Sequence, residues 1–294
     1  MPGTLYIVAT PIGHLEDITL RALRVLREVD LIAAEDTRVT RKLLSHYDIH
    51  TSMTAYHQHS KGERSEQIVE KLREGKCVAL VSDAGTPGIS DPGHELIALC
   101  IADGVSIECI PGPTAMIPAV VMSGLSTSHF AFDGFPPRKE SDRKAFFRSI
   151  AGDTRTIVLY ESPLRLAATL KAILSQLGDR RVAVVREATK LFEEVYRGSV
   201  SEAIEHFQGK VRGEIVIVLE GSSGEICVEE PESIDARLET RLNELTQSGM
   251  SERDAVRQCM VEFKLPKRVV YGKALAMKAE SGEQRAETRE SGFL

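Results

Sequence analysis

The chain has 294 residues, 42% hydrophobic and 27% charged, a balance that suits a water-soluble globular protein with more than one core. Its 37 basic residues against 43 acidic ones give a net charge of −6, which excludes a global basic field, so any nucleic acid must be met by local patches. Five scattered cysteines (Cys77, Cys100, Cys109, Cys227 and Cys259), with no Cys-x-x-Cys pair, argue against a disulfide framework or a zinc site, and Cys77, Cys100 and Cys109 are expected to pack as small hydrophobes. The start shows no basic or cleavable apolar leader and no apolar run is long enough for a membrane span, so a cytoplasmic location is expected.

In chain order, Leu5 to Ala9 reads as a first strand, followed by the loop Thr10 to Asp17 and a helix with Ile18, Leu20, Leu23, Leu26 and Val29 at helical spacing. Asp30 to Ala34 is a second strand running into Glu35–Asp36–Thr37–Arg38, with a helix from Arg41 to Tyr47. A short strand near Ser52 to Ala55 and a helix from Glu66 to Arg73 precede the apolar run Cys77 to Val81. That run leads into Ser82–Asp83–Ala84–Gly85–Thr86–Pro87–Gly88–Ile89–Ser90–Asp91–Pro92–Gly93, a loop longer than a plain strand-to-helix turn. A helix from His94 and a strand from Val105 to Ile110 follow, ending in Pro111 to Ala115. The repeated strand, loop and helix predict a parallel sheet covered by helices.

The second half changes rhythm. His129 to Phe132, Thr156 to Tyr160, Arg181 to Arg186, Glu193 to Arg197 and Glu214 to Leu219 read as strands, two of them adjacent without a helix between, which predicts a mixed sheet. Helices are expected at Ser141 to Ala151 and after Glu161–Ser162–Pro163. The expected organisation is two α/β domains over 1–118 and 119–221 with a cleft between them, a linker over 222–232, a small helical module over 233–280 and a disordered tail over 281–294.

The loops Thr10–Asp17, Glu35–Arg38, Ser82–Gly93 and Pro111–Ala115 all follow carboxyl ends of strands, so a parallel sheet brings them to one edge, where α/β folds place their ligands. None carries the glycine-rich loop with lysine that cradles a phosphate chain, and no Gly-x-Gly-x-x-Gly follows the first strand. A ligand without a phosphate chain is expected, met by backbone groups and aspartate.

Ala9–Thr10–Pro11–Ile12–Gly13, Ala34 to Arg38, the long loop Ser82 to Gly93, Pro111–Gly112–Pro113, Tyr160–Glu161–Ser162–Pro163 and Arg186–Glu187 together resemble the tetrapyrrole methylase superfamily, class III methyltransferases dependent on S-adenosylmethionine. The resemblance runs from about Thr4 to Glu220 and, more weakly, through the helical module, and is strongest to a branch that methylates the ribose 2′-oxygen of a cytidine in the 16S rRNA of the small ribosomal subunit. It implies S-adenosylmethionine folded up in the interdomain cleft, a homodimer, and small-subunit rRNA as partner within an assembled or assembling subunit. The cofactor contacts it implies are Pro11, Asp83, Gly85, Thr86, Thr114, Ala115 and Tyr160, with no metal. His14, Pro136, Leu164 and Ala188, with Gln58 and Ser60, depart from that branch's pattern and bear on the substrate side of the site.

Methyl transfer is an in-line displacement helped by positioning, and a ribose hydroxyl gains from a nearby base or cation. The residue types nominate Asp36, Glu161, Glu187 and Lys190, each of which could equally be an ion-pair member, such as Asp36 with Arg38 or Glu187 with Arg186. Arg138, Lys139, Arg143 and Lys144 form a basic patch suited to phosphate or to a solvated helix face, and Lys264, Lys267, Arg268 and Lys273 a second. The pairs His46/His50 and His57/His59 lie on different predicted elements and suit surface or substrate contact better than a metal. Two rivals stay open: a C-methyltransferase of tetrapyrroles, and a non-catalytic ribosome-binding factor on the same fold.

Overall fold

The computed structural model describes residues 2–57, 62–223, 234–247, 249–263 and 269–274. The chain divides into two compact units, Met1–Gly224 and Glu225–Leu294. The first unit contains two five-stranded sheets.

In the first lobe, β1 (Thr4–Val8), β2 (Leu31–Ala34), β3 (Met53–Ala55), β4 (Val78–Val81) and β5 (Ser106–Ile110) pair in the order β3-β2-β4-β1-β5, all parallel. All four residues of the central β4 are buried, as a strand covered on both faces requires. Alternation along β1 sends Val8 to one face and Leu5 and Ile7 to the other. The first face packs under α1 (Leu20–Glu28) and α2 (Thr37–His46), through Val25, Leu26, Leu43 and Leu44. The second packs under α3 (Glu63–Arg73) and α4 (His94–Ala102), through Ile68, Leu72, Leu96 and Cys100.

Two local expectations are corrected. α2 begins at Thr37 rather than Arg41, because the Asp36 carboxylate accepts from the Arg38 N–H and caps the helix there. Cys109 is exposed rather than packed, because β5 is an edge strand and only its last residue, Ile110, is fully buried. Cys100 is buried and Cys77 half-buried.

In the second lobe, β6 (Phe130–Phe132), β7 (Thr156–Glu161), β8 (Arg181–Arg186), β9 (Glu194–Ser199) and β10 (Ile215–Leu219) pair in the order β6-β7-β10-β8-β9. Only β6 and β7 are parallel, so this sheet is mixed as expected. On one face α6 (Glu140–Ser149), α7 (Leu166–Leu177) and α8 (Val200–His206) bury Phe147, Leu170, Ile173 and Ala203. On the other lies α5 (Met116–Ser123), whose Ala119 and Val120 pack against Val158, Val185, Val216 and Val218. Ile12, from the loop after β1, joins this cluster beside Ala188 and ties the two lobes together.

The second unit contains α9 (Ile234–Gln247), α10 (Glu252–Phe263) and a helical segment over 269–274. Leu238, Leu242, Leu245, Ala255, Val256, Cys259 and Val270 form its core, and the Ser251 hydroxyl accepts from the Asp254 N–H at the start of α10. The predicted linker beyond Ser223, the tail over 281–294, and Gln58, His59, Ser60, Cys227, Lys264, Lys267 and Arg268 lie outside the described residues. Among the described residues no helix is long and apolar enough to cross a membrane.

Candidate active site

The four loops predicted to converge do so, through named bonds. Thr10 and Gly85 exchange two backbone hydrogen bonds of 2.9 Å each, with Gly85 at a left-handed φ of +85° that a side chain would resist. The Thr10 hydroxyl donates to the Ser82 carbonyl at 3.0 Å, joining the loop after β1 to the loop after β4. Asp36 N–H donates to Asp83 Oδ1 at 3.0 Å and Asp83 N–H to Glu35 Oε2 at 3.3 Å, joining the loops after β2 and β4. The Thr86 hydroxyl donates to the Pro113 carbonyl at 3.2 Å, joining the loops after β4 and β5.

The second lobe closes the other side, with Tyr160 to Pro163 from the end of β7, Val185 from β8, Ala188 from the turn that follows it, and Gly213 to Val216 leading into β10. The enclosed cavity measures about 370 Å³, within the range of small-molecule sites. The Tyr160 phenol bonds to the Thr114 side chain and to the Met116 backbone, and burial outweighs both in pushing its pKa up. Among the described non-glycine residues only Asp48, Ser90, Glu187 and Thr189 have positive φ; Ser90 lines the cavity, and Glu187 and Thr189 flank its lining residue Ala188 in sequence, as strained backbone at functional sites tends to.

Of the predicted cofactor contacts, Asp83, Gly85, Thr86, Thr114, Ala115 and Tyr160 line the cavity. Pro11 does not; its neighbour Ile12 does. Of the four nominated catalytic residues only Glu161 lines it, and its carboxylate is buried and engaged by Arg165, the Thr169 hydroxyl and the Ser162 N–H. Asp36 lies in a fork with Arg38, whose hydrogen bonds hold its carboxyl down at about 2. Glu187 pairs with Lys190 at 2.9 Å rather than with Arg186, which turns to Glu194; Lys190 also meets Glu214 at 3.1 Å. Burial alone would raise Glu187, but the Glu214 N–H and the Lys190 ammonium outweigh it and hold it low; the same carboxylates raise Lys190 against its own burial.

The floor has an acidic character that the motifs only partly signalled. Glu35, Asp83, Asp91 and Glu214 all line it. Burial, with the charges of Glu35, Asp83 and Glu214, pushes Asp91 up to about 7 against a hydrogen bond from Ser82. Burial likewise raises Glu35 and Asp83, each further raised by neighbouring carboxylates. Asp83 and Asp91 stand out in the sequence as the brackets of the long loop, but Glu214 carries no signal there because β10 reaches the site only through tertiary pairing. Of the departures from the family pattern, Ala188 lines the cavity, Pro136 is buried, Leu164 is almost fully exposed, and His14 caps a short turn through its ring while its N–H donates to Thr189.

The basic patch after β6 is smaller than its sequence suggests. Arg143 is buried and donates to the Arg138 carbonyl, and Lys144 pairs with Glu140 at 2.8 Å. Arg138 and Lys139 remain exposed. In the second unit, Lys273 pairs with Glu239.

A doubly lobed α/β unit with this cleft defines a class. The chain belongs to the tetrapyrrole (corrin/porphyrin) methylases, whose family model matches residues 4–204. Among curated relatives, it is 44% identical over 280 residues to ribosomal RNA small subunit methyltransferase I of Synechocystis sp., covering 95% of this chain and 99% of the relative. It is 50% identical over 220 residues to the protein of the same name from Thermotoga maritima, covering 74% of this chain and 99% of that one. Among solved structures, a cobalt precorrin-4 methyltransferase of cobalamin biosynthesis superposes with a TM-score of 0.58 at 22% identity, covering 74% of this chain and 94% of that one. A uroporphyrin-III C-methyltransferase from Thermus thermophilus, solved with S-adenosylhomocysteine, superposes with a TM-score of 0.53 at 22% identity, covering 74% and 97%. At that identity the neighbours establish the fold.

Proposed function

We propose that this protein is an S-adenosylmethionine-dependent methyltransferase that methylates the ribose 2′-oxygen of a cytidine in small-subunit (16S) rRNA. The observation that carries the cofactor assignment is the carboxylate floor. Glu35, Asp83, Asp91 and Glu214 face one cavity, and among the described residues no cationic one lines it. S-adenosylmethionine carries a sulfonium and an ammonium, so its charge suits this floor, while a phosphate chain would be repelled. Asp83, Gly85, Thr86, Thr114, Ala115 and Tyr160 are the residues proposed to hold it, with Pro11 bracing the loop that supplies Ile12. When bound, the cofactor supplies an electrophilic methyl group whose transfer needs an aligned acceptor oxygen.

The RNA assignment is supported by relatives named as small-subunit rRNA methyltransferases at 44% and 50% identity. For the acceptor side, Asp36, Glu161, Glu187 and Lys190 remain the nominated groups. The Glu187–Lys190–Glu214 cluster supports a role for Lys190 best, since its ammonium beside the rim can steady an ionising hydroxyl. Glu161, buried and fully bonded, suits a positioning role better than proton transfer. We further infer a cytoplasmic homodimer that meets its RNA in an assembled or assembling subunit.

Two measurements test this reading. Calorimetry should detect S-adenosylmethionine binding by the wild type and a strong loss in Asp83→Ala; no binding at high micromolar concentration refutes the enzyme. Mapping ribose methylation in rRNA from a deletion strain should reveal one lost 2′-O-methyl cytidine, restored by wild type and not by Asp83→Ala. An unchanged map refutes the RNA assignment. Methylation of a tetrapyrrole instead would favour the rival chemistry of the same fold.

A further inference from the structure

Phe135 is a large apolar ring left 52% exposed at the rim of the cavity, on a segment that is firmly held. Asp133 N–H donates to the Val158 carbonyl and Tyr160 N–H to the Gly134 carbonyl, extending the β6–β7 pairing to the base of the ring. Gly134, at φ +63°, turns the chain there. Beyond the ring, the Arg165 guanidinium donates to the Pro136 carbonyl and Arg143 to the Arg138 carbonyl. The ring meets Tyr160 edge-on, with centroids 5.6 Å apart and planes at 64°. An aromatic fixed in place and left open to water has its ordering entropy already spent, which suits it to receive a flat partner.

The charge around the ring says which partner. Inward of Phe135 lie the carboxylates of the floor, which repel phosphate. Outward, three residues along the same loop, Arg138 is exposed and forms no ion pair among the described residues, and Lys139 has only a 3.7 Å contact to Asp142. Along the chain, the ring therefore stands between the acidic cavity it lines and two exposed cations. An RNA strand can satisfy this arrangement only with its phosphates outside and one unstacked nucleotide turned inward, its base needing a new surface to stack on.

We propose that Phe135 is the stacking platform for the base of the acceptor nucleotide, with Arg138 and Lys139 holding a flanking phosphate. This inference rests on the RNA methyltransferase reading above. In it, the ring sets RNA affinity and the presentation of the ribose, while cofactor affinity is set deeper, on the floor.

The test compares wild type, Phe135→Ala, Phe135→Trp and Arg138→Gln in two assays: calorimetry with S-adenosylmethionine, and methyl transfer to small subunits lacking the modification. Phe135→Ala should bind S-adenosylmethionine within about twofold of wild type and raise the KM for the subunit roughly tenfold, the scale of one lost base–aromatic stack. Phe135→Trp should restore the KM. Arg138→Gln should weaken RNA binding and reduce the slope of log affinity against log salt by about one. A parallel loss of cofactor affinity in Phe135→Ala would make the ring a cofactor wall and overturn the inference, as would an unchanged KM or a failure of Trp to rescue. If wild type transfers no methyl to the subunit, the function itself is wrong; if wild type transfers and Phe135→Ala matches it, only the inference fails.

Discussion

Glu161 and Arg165 form an ion pair of 3.0 Å whose carboxylate has no solvent exposure, and the same guanidinium also holds the Pro136 carbonyl. The pair therefore connects the end of β7 to the loop that carries Phe135. Removing one partner of a buried pair leaves the other charge unmatched and costs about 3–5 kcal/mol. Glu161→Ala should lower the unfolding free energy by that amount, and Glu161→Gln, which can still bond Thr169, should lose less. In both, kcat per folded molecule should stay near that of wild type, while the KM for the subunit rises as the Phe135 loop loosens. A Glu161→Gln protein as stable as wild type yet inactive would instead identify Glu161 as the base.

Asp91 predicts a pH dependence. Its folded pKa of about 7 lies above the ordinary carboxylate value, so the folded state holds this proton more tightly than the unfolded chain. Its stabilising contribution is present below the unfolded value of about 4 and disappears as pH rises through 7. Asp91→Asn should therefore be more stable than wild type at about pH 8, by an amount of order 1 kcal/mol once solvent screening is allowed for, with the difference closing toward pH 4. Affinity for the cationic cofactor should rise from pH 6 to pH 8 in wild type, as Asp91 ionises, and stay flatter in the variant. Thermal melts and calorimetry across that range check both.

Gly213 lies at φ +93° on the cavity wall, and a Cβ there would come within 2.4 Å of the Glu187 side chain. Gly213→Ala combines backbone strain with displacement of the partner of Lys190, so a loss of about 1–3 kcal/mol is expected. Its activity should fall further than its stability, because the Glu187–Lys190 pair moves with it; urea denaturation beside initial rates separates the two.

Tyr160 and Thr114 join the lobes through their side chains. Tyr160→Phe and Thr114→Val should each cost about 0.5–1.5 kcal/mol, and the double variant should cost less than their sum because one hydrogen bond is shared. The same cycle read in cofactor affinity should show the same sign of coupling. Strict additivity in both readouts would deny the link.

Much of this architecture is legible in the residues. The all-apolar Val78 to Val81 reads as a covered strand, and the loops after the first-lobe strands share an edge once the sheet is parallel, because every strand then points the same way. That one geometric fact brings the loops of Asp83 to Thr86 and of Thr114 and Ala115 to a common edge, while the individual wall residues are implied by the family resemblance. Arg143 illustrates what does not follow: its place among exposed cations in the sequence says nothing of the backbone carbonyl it reaches, so a four-cation patch becomes two exposed cations beside a buried guanidinium and a paired lysine.

Local pattern thus determined the strands, most of the helices and the first-lobe edge, since these depend on periodicity and on backbone chemistry over a few residues, but it leaves α5 and α8 unassigned. Only the tertiary structure decided the far wall and the charge of the floor. β10 inserts between β7 and β8 and brings Glu214 beside Lys190 and toward Asp91, across separations that no local spacing encodes. Burial then sets the ionisation of those carboxylates, because desolvation and neighbouring charge act through space rather than along the chain.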